Sequence, residues 1–275
     1  MRSLAVLIAL LAVTLSGCAG TPDHHSASSS PSTSTNPDRA YTFPQKMGPM
    51  TTTWEASPGL DLTDPLPTVA RAYFESLFIA STYTKEIAFP GFVRLFGDNQ
   101  YQLIDGEAKT YAGWTGTRRM KLQSITEKDG VVRATVCDDR AGLYRQKFVG
   151  KPQEVVMPED RFRYGIGHRP YMDEPYTWFV ELHQAKGEPR WPSDPAIGEA
   201  RAPNWDVFEG WELVDTGFAE SWQIGTPCDQ WAHENYPGFT DPGPPPHRLY
   251  PNGFPDPVFQ APLPQYPGWT QVGQP

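Results

Sequence analysis

Two acids set among apolar residues are the strongest chemical signal in the chain. Val132, Ala134 and Val136 alternate with Arg133 and Thr135, and Asp138 continues the apolar row. Further on, Val214, Thr216, Phe218, Glu220, Trp222 and Ile224 recur at every second residue, so Glu220 interrupts a second row. A period of two puts each row on one face of a strand. A carboxyl group held against apolar walls favours its neutral form, and its pKa rises. Two such acids facing one pocket can pass protons at neutral pH, which makes Asp138 and Glu220 candidates for acid/base catalysis. The competing reading turns Glu220 to solvent at a bulge or edge and makes Asp138-Asp139-Arg140 a turn with a surface ion pair. No phosphate loop, dinucleotide fingerprint, HExxH or GxSxG pattern accompanies these acids. His233-Glu234 lacks the second histidine of a zinc helix, and His24-His25 sits in a Ser/Thr-rich run, so neither a metal nor a cofactor is expected. Trp114, Trp178 and Trp222 are candidates to line a pocket for an apolar ligand, with burial in the core as the ordinary alternative.

The chain has three cysteines. Cys18 follows Leu15-Ser16-Gly17, the apolar run 4–13 and the basic Arg2. A basic start, a short apolar stretch and small residues describe a secretory signal peptide. The run is too short to span a hydrocarbon core, which needs about 20 apolar residues. Leu15-Ser16-Gly17-Cys18 resembles the lipobox of bacterial lipoproteins. That resemblance implies cleavage before Cys18, a diacylglyceryl group on its thiol and a fatty acyl group such as palmitate on the new amino group. Two acyl chains suffice for stable anchoring, at about 0.8 kcal/mol per buried CH₂. The expected location is the extracytoplasmic face of a cell membrane, with the membrane itself as the first partner. With Cys18 set aside, Cys137 and Cys228 remain as an even pair in an oxidising compartment, which favours a disulfide over two separate buried thiols.

Composition limits the remaining functions. The formal net charge of −9 argues against a nucleic-acid partner, which calls for a basic face. Hydrophobic residues at 39% support one core of ordinary size, while 30 prolines and 24 glycines call for extensive loops.

These limits divide the chain into four parts: a signal peptide at 1–17, the lipidated Cys18 with a flexible tether to residue 40, one domain at 41–236, and a Pro-rich tail at 237–275. The tether is rich in Ser, Thr and Pro and cannot bury enough apolar surface to offset its ordering entropy. Asp64-Pro65 opens a helix whose stripe is Val69, Tyr73, Phe74, Leu77 and Phe78. Residues 85–96 form a second helical candidate, kinked or divided at Pro90-Gly91. From about residue 101 the period becomes two. Met120, Leu122 and Ser124 alternate with Lys121 and Gln123, and residues 127–130 signal a hairpin. Residues 176–183 and 211–224 read as third and fourth strands. On the third, either Trp178, Val180 and Leu182 or Phe179, Glu181 and His183 face inward. Loops at about 147–175 and 185–209 separate them. The tail holds 12 of the 30 prolines together with Phe239, Tyr250, Phe254, Phe259, Tyr266 and Trp269. It reads as an arm anchored by its aromatics, a polyproline ligand or a disordered end, and the aromatics favour partial docking.

Helices followed by a curved antiparallel sheet, with the hairpin 119–138 and the late strand 211–224, resemble the NTF2-like cone fold and the outline of several actinobacterial envelope lipoproteins. The expected class is α+β: N-terminal helices packed on the sheet, with long loops and a Pro-rich C-terminal arm. In that outline Cys137 ends one central strand and Cys228 follows another, so a bridge between them is reasonable. Some enzymes of the superfamily use carboxylates in the cone pocket, which is one functional expectation. The other, drawn from the anchor, the tether and the missing catalytic motifs, is a tethered non-catalytic module that binds a small apolar molecule or an envelope protein.

Overall fold

A computed structural model describes residues 41–95, 111–140, 142–147, 162–163, 171–172, 176–185, 191–195, 197–219, 228, 230–231, 234, 248–249 and 261–272.

The first strand, β1 (Thr51–Ala56), is built mostly from threonine, with Thr52 and Trp54 buried. No strand is expected there from sequence, because Trp54 is the single bulky apolar residue in six. Helix α1 (Pro65–Thr82) follows, with proline in its first turn. Asp64 takes the N-cap position but makes no side-chain cap bond. Val69, Tyr73, Phe74 and Phe78 of the expected stripe are buried, and Leu77 lies at its margin. Arg71, Glu75 and Ser76 are buried as well, so α1 is enclosed well beyond its apolar stripe. The second helical candidate is divided into a 3-10 turn, Lys85–Ile87, and the short helix α2 (Phe92–Leu95). Gly91, between them, has φ +82°, and a Cβ there would stand 1.9 Å from the Asp206 carboxylate, so only glycine fits.

The remaining strands are β2 (Tyr111–Lys128), β3 (Val131–Asp139), β4 (Leu143–Lys147), β5 (Phe162–Arg163), β6 (Tyr171–Met172), β7 (Tyr176–Gln184), β8 (Trp211–Phe218) and β9 (Arg248–Leu249). The main sheet runs β1-β2-β3-β7-β8 and is open. β1 pairs parallel to β2, and the later pairings are antiparallel. β4 and then β5 extend from the first half of β2, while β6 and β9 pair separately. The domain is thus α+β with a mixed sheet not closed into a barrel. A strand precedes the helices, which corrects the helices-first, all-antiparallel expectation. The β2–β3 turn places Asp129 at φ 54° and Gly130 at φ 77°, the backbone of a two-residue type I′ hairpin.

Two bulges change which residues face the core. One lies between Leu122 and Ser124, so Ile125, opposite Ala134, continues the core row in place of Ser124. The other lies between Glu181 and Leu182, so β8 presents Trp211, Leu213, Thr216 and Phe218 to that face and leaves Val214 exposed. On β7 the inward set is Trp178, Val180 and Leu182, with Val180 and Leu182 fully buried. Cys137 alternates with Val136 and Asp138 and therefore points away from α1, where it forms a disulfide with Cys228 across 91 residues. Trp231 is buried beside that bridge and donates its indole N–H to Glu55. Closing a loop of that length contributes about 4–5 kcal/mol in the chain-entropy account.

Residues 261–272 of the Pro-rich tail are docked. Tyr266 accepts from Trp54 N–H at 2.7 Å and donates to Thr52 at 3.2 Å through the main chain, which covers the free edge of β1. Main-chain bonds between Ala200 and Trp269 run in both directions, at 3.2 and 2.9 Å. The Trp269 side chain is fully buried, against Phe89 at 5.8 Å. Tyr266 is 64% exposed, so one aromatic anchors this segment and the other does not. Trp269→Ala is expected to cost about 3–5 kcal/mol of stability in urea unfolding. A loss below 1 kcal/mol would contradict the anchor role.

Candidate functional site

Asp138 lies at the end of β3 on the core face and is fully buried. Arg118, two residues along β2 from its partner Met120, reaches it with a fork of two bonds: Nε to Oδ1 at 2.7 Å and Nη2 to Oδ2 at 2.8 Å. Arg140 adds Nε to Oδ2 at 2.8 Å. The third Arg118 nitrogen, Nη1, donates to the Phe74 carbonyl of α1 at 2.9 Å, so the acid ties the hairpin to the helix. Burial pushes this carboxyl up, but Arg118 and Arg140 outweigh it and bring the pKa down to about 2. A carboxyl group so acidic is a weak base and is almost never protonated at neutral pH. Asp138 thus joins Arg118 and Arg140 in a buried three-residue cluster, in place of the surface ion pair of the alternative reading. Glu220 and Trp222 lie outside the described residues, as does Cys18.

A second buried acid was not apparent from the sequence. Glu75 accepts from the Trp54 indole at 2.8 Å on one oxygen, and from the Trp269 indole at 2.9 Å and Gln265 at 3.3 Å on the other. Burial pushes its carboxyl above the usual range, opposed by Arg71 and the indole donors. Arg71 stacks on Trp269 at 4.6 Å and donates to the Pro267 carbonyl at 2.7 Å, and burial lowers its pKa to about 10. The signal that marks this pair is its i, i+4 spacing inside an otherwise apolar helix.

Of the candidate tryptophans, Trp114 is 1% exposed and packs on Phe78 at 5.4 Å in the core. Trp178 is half-buried and stacks on Phe218 at 4.0 Å. The void beside Glu75 and Arg118 measures about 10 Å³, the lower limit for one water molecule.

The larger opening lies beyond β1. A cleft of about 850 Å³ forms between the loop at 60–63, the strip at 197–201 and the docked tail at 264–268. Its size suits a small ligand. Leu60, Leu62, Pro264 and Pro267 contribute apolar wall, and Ile197 and Tyr266 stand 65% and 64% exposed at the rim. Arg201 lines its inner side. Asp61 is engaged locally, accepting from the Thr63 N–H at 2.8 Å and hydroxyl at 2.6 Å. Among the described residues, no histidine or cysteine lines the cleft. Among the described residues, no cluster of acids, histidines and cysteines stands ready to hold a metal ion. Compared with models of known families, with curated proteins and with solved structures, the chain matches none.

Two outcomes follow for Asp138. Asp138→Asn leaves Arg118 and Arg140 buried without their anion, and denaturant unfolding is expected to show a loss of about 3–5 kcal/mol. Because its folded pKa of about 2 lies below the ordinary 3.8, the stability Asp138 supplies is present above pH 4 and is lost as pH falls from about 4 to 2. Native unfolding curves should steepen their decline in that window, and the Asn variant should lack this component.

Proposed function

We propose that the chain is a lipoprotein anchored through Cys18 on the extracytoplasmic face of a cell membrane, where it binds a small apolar ligand without catalysing its conversion. The observation that carries the binding half is the 850 Å³ cleft, walled in part by Leu60, Leu62, Ile197, Pro264 and Pro267. Of the two candidate acids for a cone-pocket enzyme, Asp138 is engaged by Arg118 and Arg140, which favour its ionised form. The Cys137–Cys228 disulfide supports an oxidising compartment, and the run ending in Leu15-Ser16-Gly17-Cys18 supports export with lipidation. Among the described residues no helix is long and apolar enough to cross a membrane. A helix laid on an open sheet, with the β2–β3 hairpin and the late strand β8, supports a distant NTF2-like cone, from which the parallel β1 departs. The docked segment 261–272 is committed to its own domain, so an envelope-protein partner reached through that segment is the weaker reading.

The test has two parts. Cells fed labelled palmitate should incorporate it into the native chain and not into Cys18→Ala. Solvent extraction of the purified native chain should release an apolar compound, detected by mass spectrometry, that Ile197→Glu no longer retains. A native chain that takes up no label, or an Ile197→Glu chain that keeps the compound, would overturn the corresponding half of the proposal.

A further inference from the structure

Arg71 and Arg118 are fully buried and Arg201 is half-buried. Arg118 and Arg140 share Asp138, and Arg71 lies in the field of Glu75. Arg201 has no carboxylate within ion-pair distance among the described residues. Its Nη2 donates to the Gly48 carbonyl at 2.8 Å, and its guanidinium plane lies 3.7 Å over the Phe43 ring. Its Nε is buried with no acceptor among the described residues. Partial burial lowers its pKa to about 10, so it stays cationic at neutral pH. Withdrawing a charge partly from water without a counter-charge is costly, and Arg201 is among the residues that line the cleft.

Two acids line the same cleft and must be weighed. Asp61 is fully exposed, and its carboxylate is occupied by Thr63. Glu199 is exposed at the rim. Water and salt screen both acids more than they screen the half-buried Arg201. The walls between are aliphatic, and Pro264 and Pro267 offer no N–H to an incoming peptide.

We propose that the cleft takes a fatty-acyl carboxylate, its anionic head on Arg201 and its chain along the wall of Leu60, Leu62, Ile197 and Pro264. This rests on the reading of the cleft as an apolar ligand site and names the ligand class. Arg201 supplies head-group selectivity through its free charge, and the aliphatic wall supplies affinity in proportion to chain length.

The experiment compares decanoate with decan-1-ol and decylammonium, which share the chain and differ in the head, on the full chain in nanodiscs with empty nanodiscs subtracted. Titration calorimetry on the native chain should show decanoate binding at least about tenfold more tightly than decan-1-ol. Arg201→Gln should remove that preference while leaving decan-1-ol unchanged, and Arg201→Lys should restore part of it. Should Arg201→Gln fail to fold, the head-group comparison on the native chain and the Lys variant decide alone. Equal binding of decanoate and decan-1-ol, or tighter binding of decylammonium, would overturn the carboxylate inference and leave the apolar cleft standing. Binding of none of the three by the native chain would overturn both.

Discussion

The carboxylate of Glu75 is the joint on which the domain closes. Trp54 comes from β1, Glu75 from α1 and Trp269 from the docked tail, and the two indole N–H groups meet on the two oxygens of one acid. All three are buried, and withdrawing Glu75 would leave both indole N–H groups without the acceptor they share. Direction matters here as much as strength. An indole is a donor only, so two of them can converge solely on an acceptor, and a carboxylate offers two well-separated ones. The cleft inherits its shape from this joint, because the tail that Trp269 holds in place is also one of its walls.

The second buried acid does a different task with similar chemistry. Asp138 joins hairpin to helix through Arg118, which spends two nitrogens on the acid and a third on the Phe74 carbonyl. Both acids hold elements together. A satisfied polar network of this kind rigidifies a core and specifies one arrangement of its parts. The open, adaptable surface lies elsewhere, at the edge of the sheet.

Periodicity alone revealed the elements that bury one regular face. Helix α1, the I′ turn at Asp129-Gly130, the inward row of β3 and the break at Gly91 all follow from residue types and spacing. What escaped has identifiable causes. β1 is short and threonine-rich, and its burial comes from the tail laid over it, a contact 213 residues away that no local window contains. The bulges at Leu122 and Leu182 each invert a row, and a period-two count cannot foresee an inserted residue. Asp138 was legible as an acid on an apolar face. Its partner Arg118 was not, because Arg118-Arg119 reads as solvated charge until the register with β3 is known. The cleft draws on three stretches far apart in the chain, and its key charge, Arg201, stands in a loop with no pattern of its own.

The spacing of the Glu75 joint also sets an order of events in time. Glu75 and Trp269 are 194 residues apart, so at 5–20 residues per second roughly 10–40 s of synthesis separate them. During that interval α1 carries a carboxylate whose second oxygen has no indole to meet, and β1 carries an uncovered edge. Neither can settle into its final burial until the clasp arrives. The backbone contact that seats it tolerates little error, since a Cβ on Gly268 would lie 2.1 Å from the Gly198 carbonyl oxygen. The bond from Trp269 to Glu75 cannot form before the tail is present, so tail, helix and first strand share one closing contact.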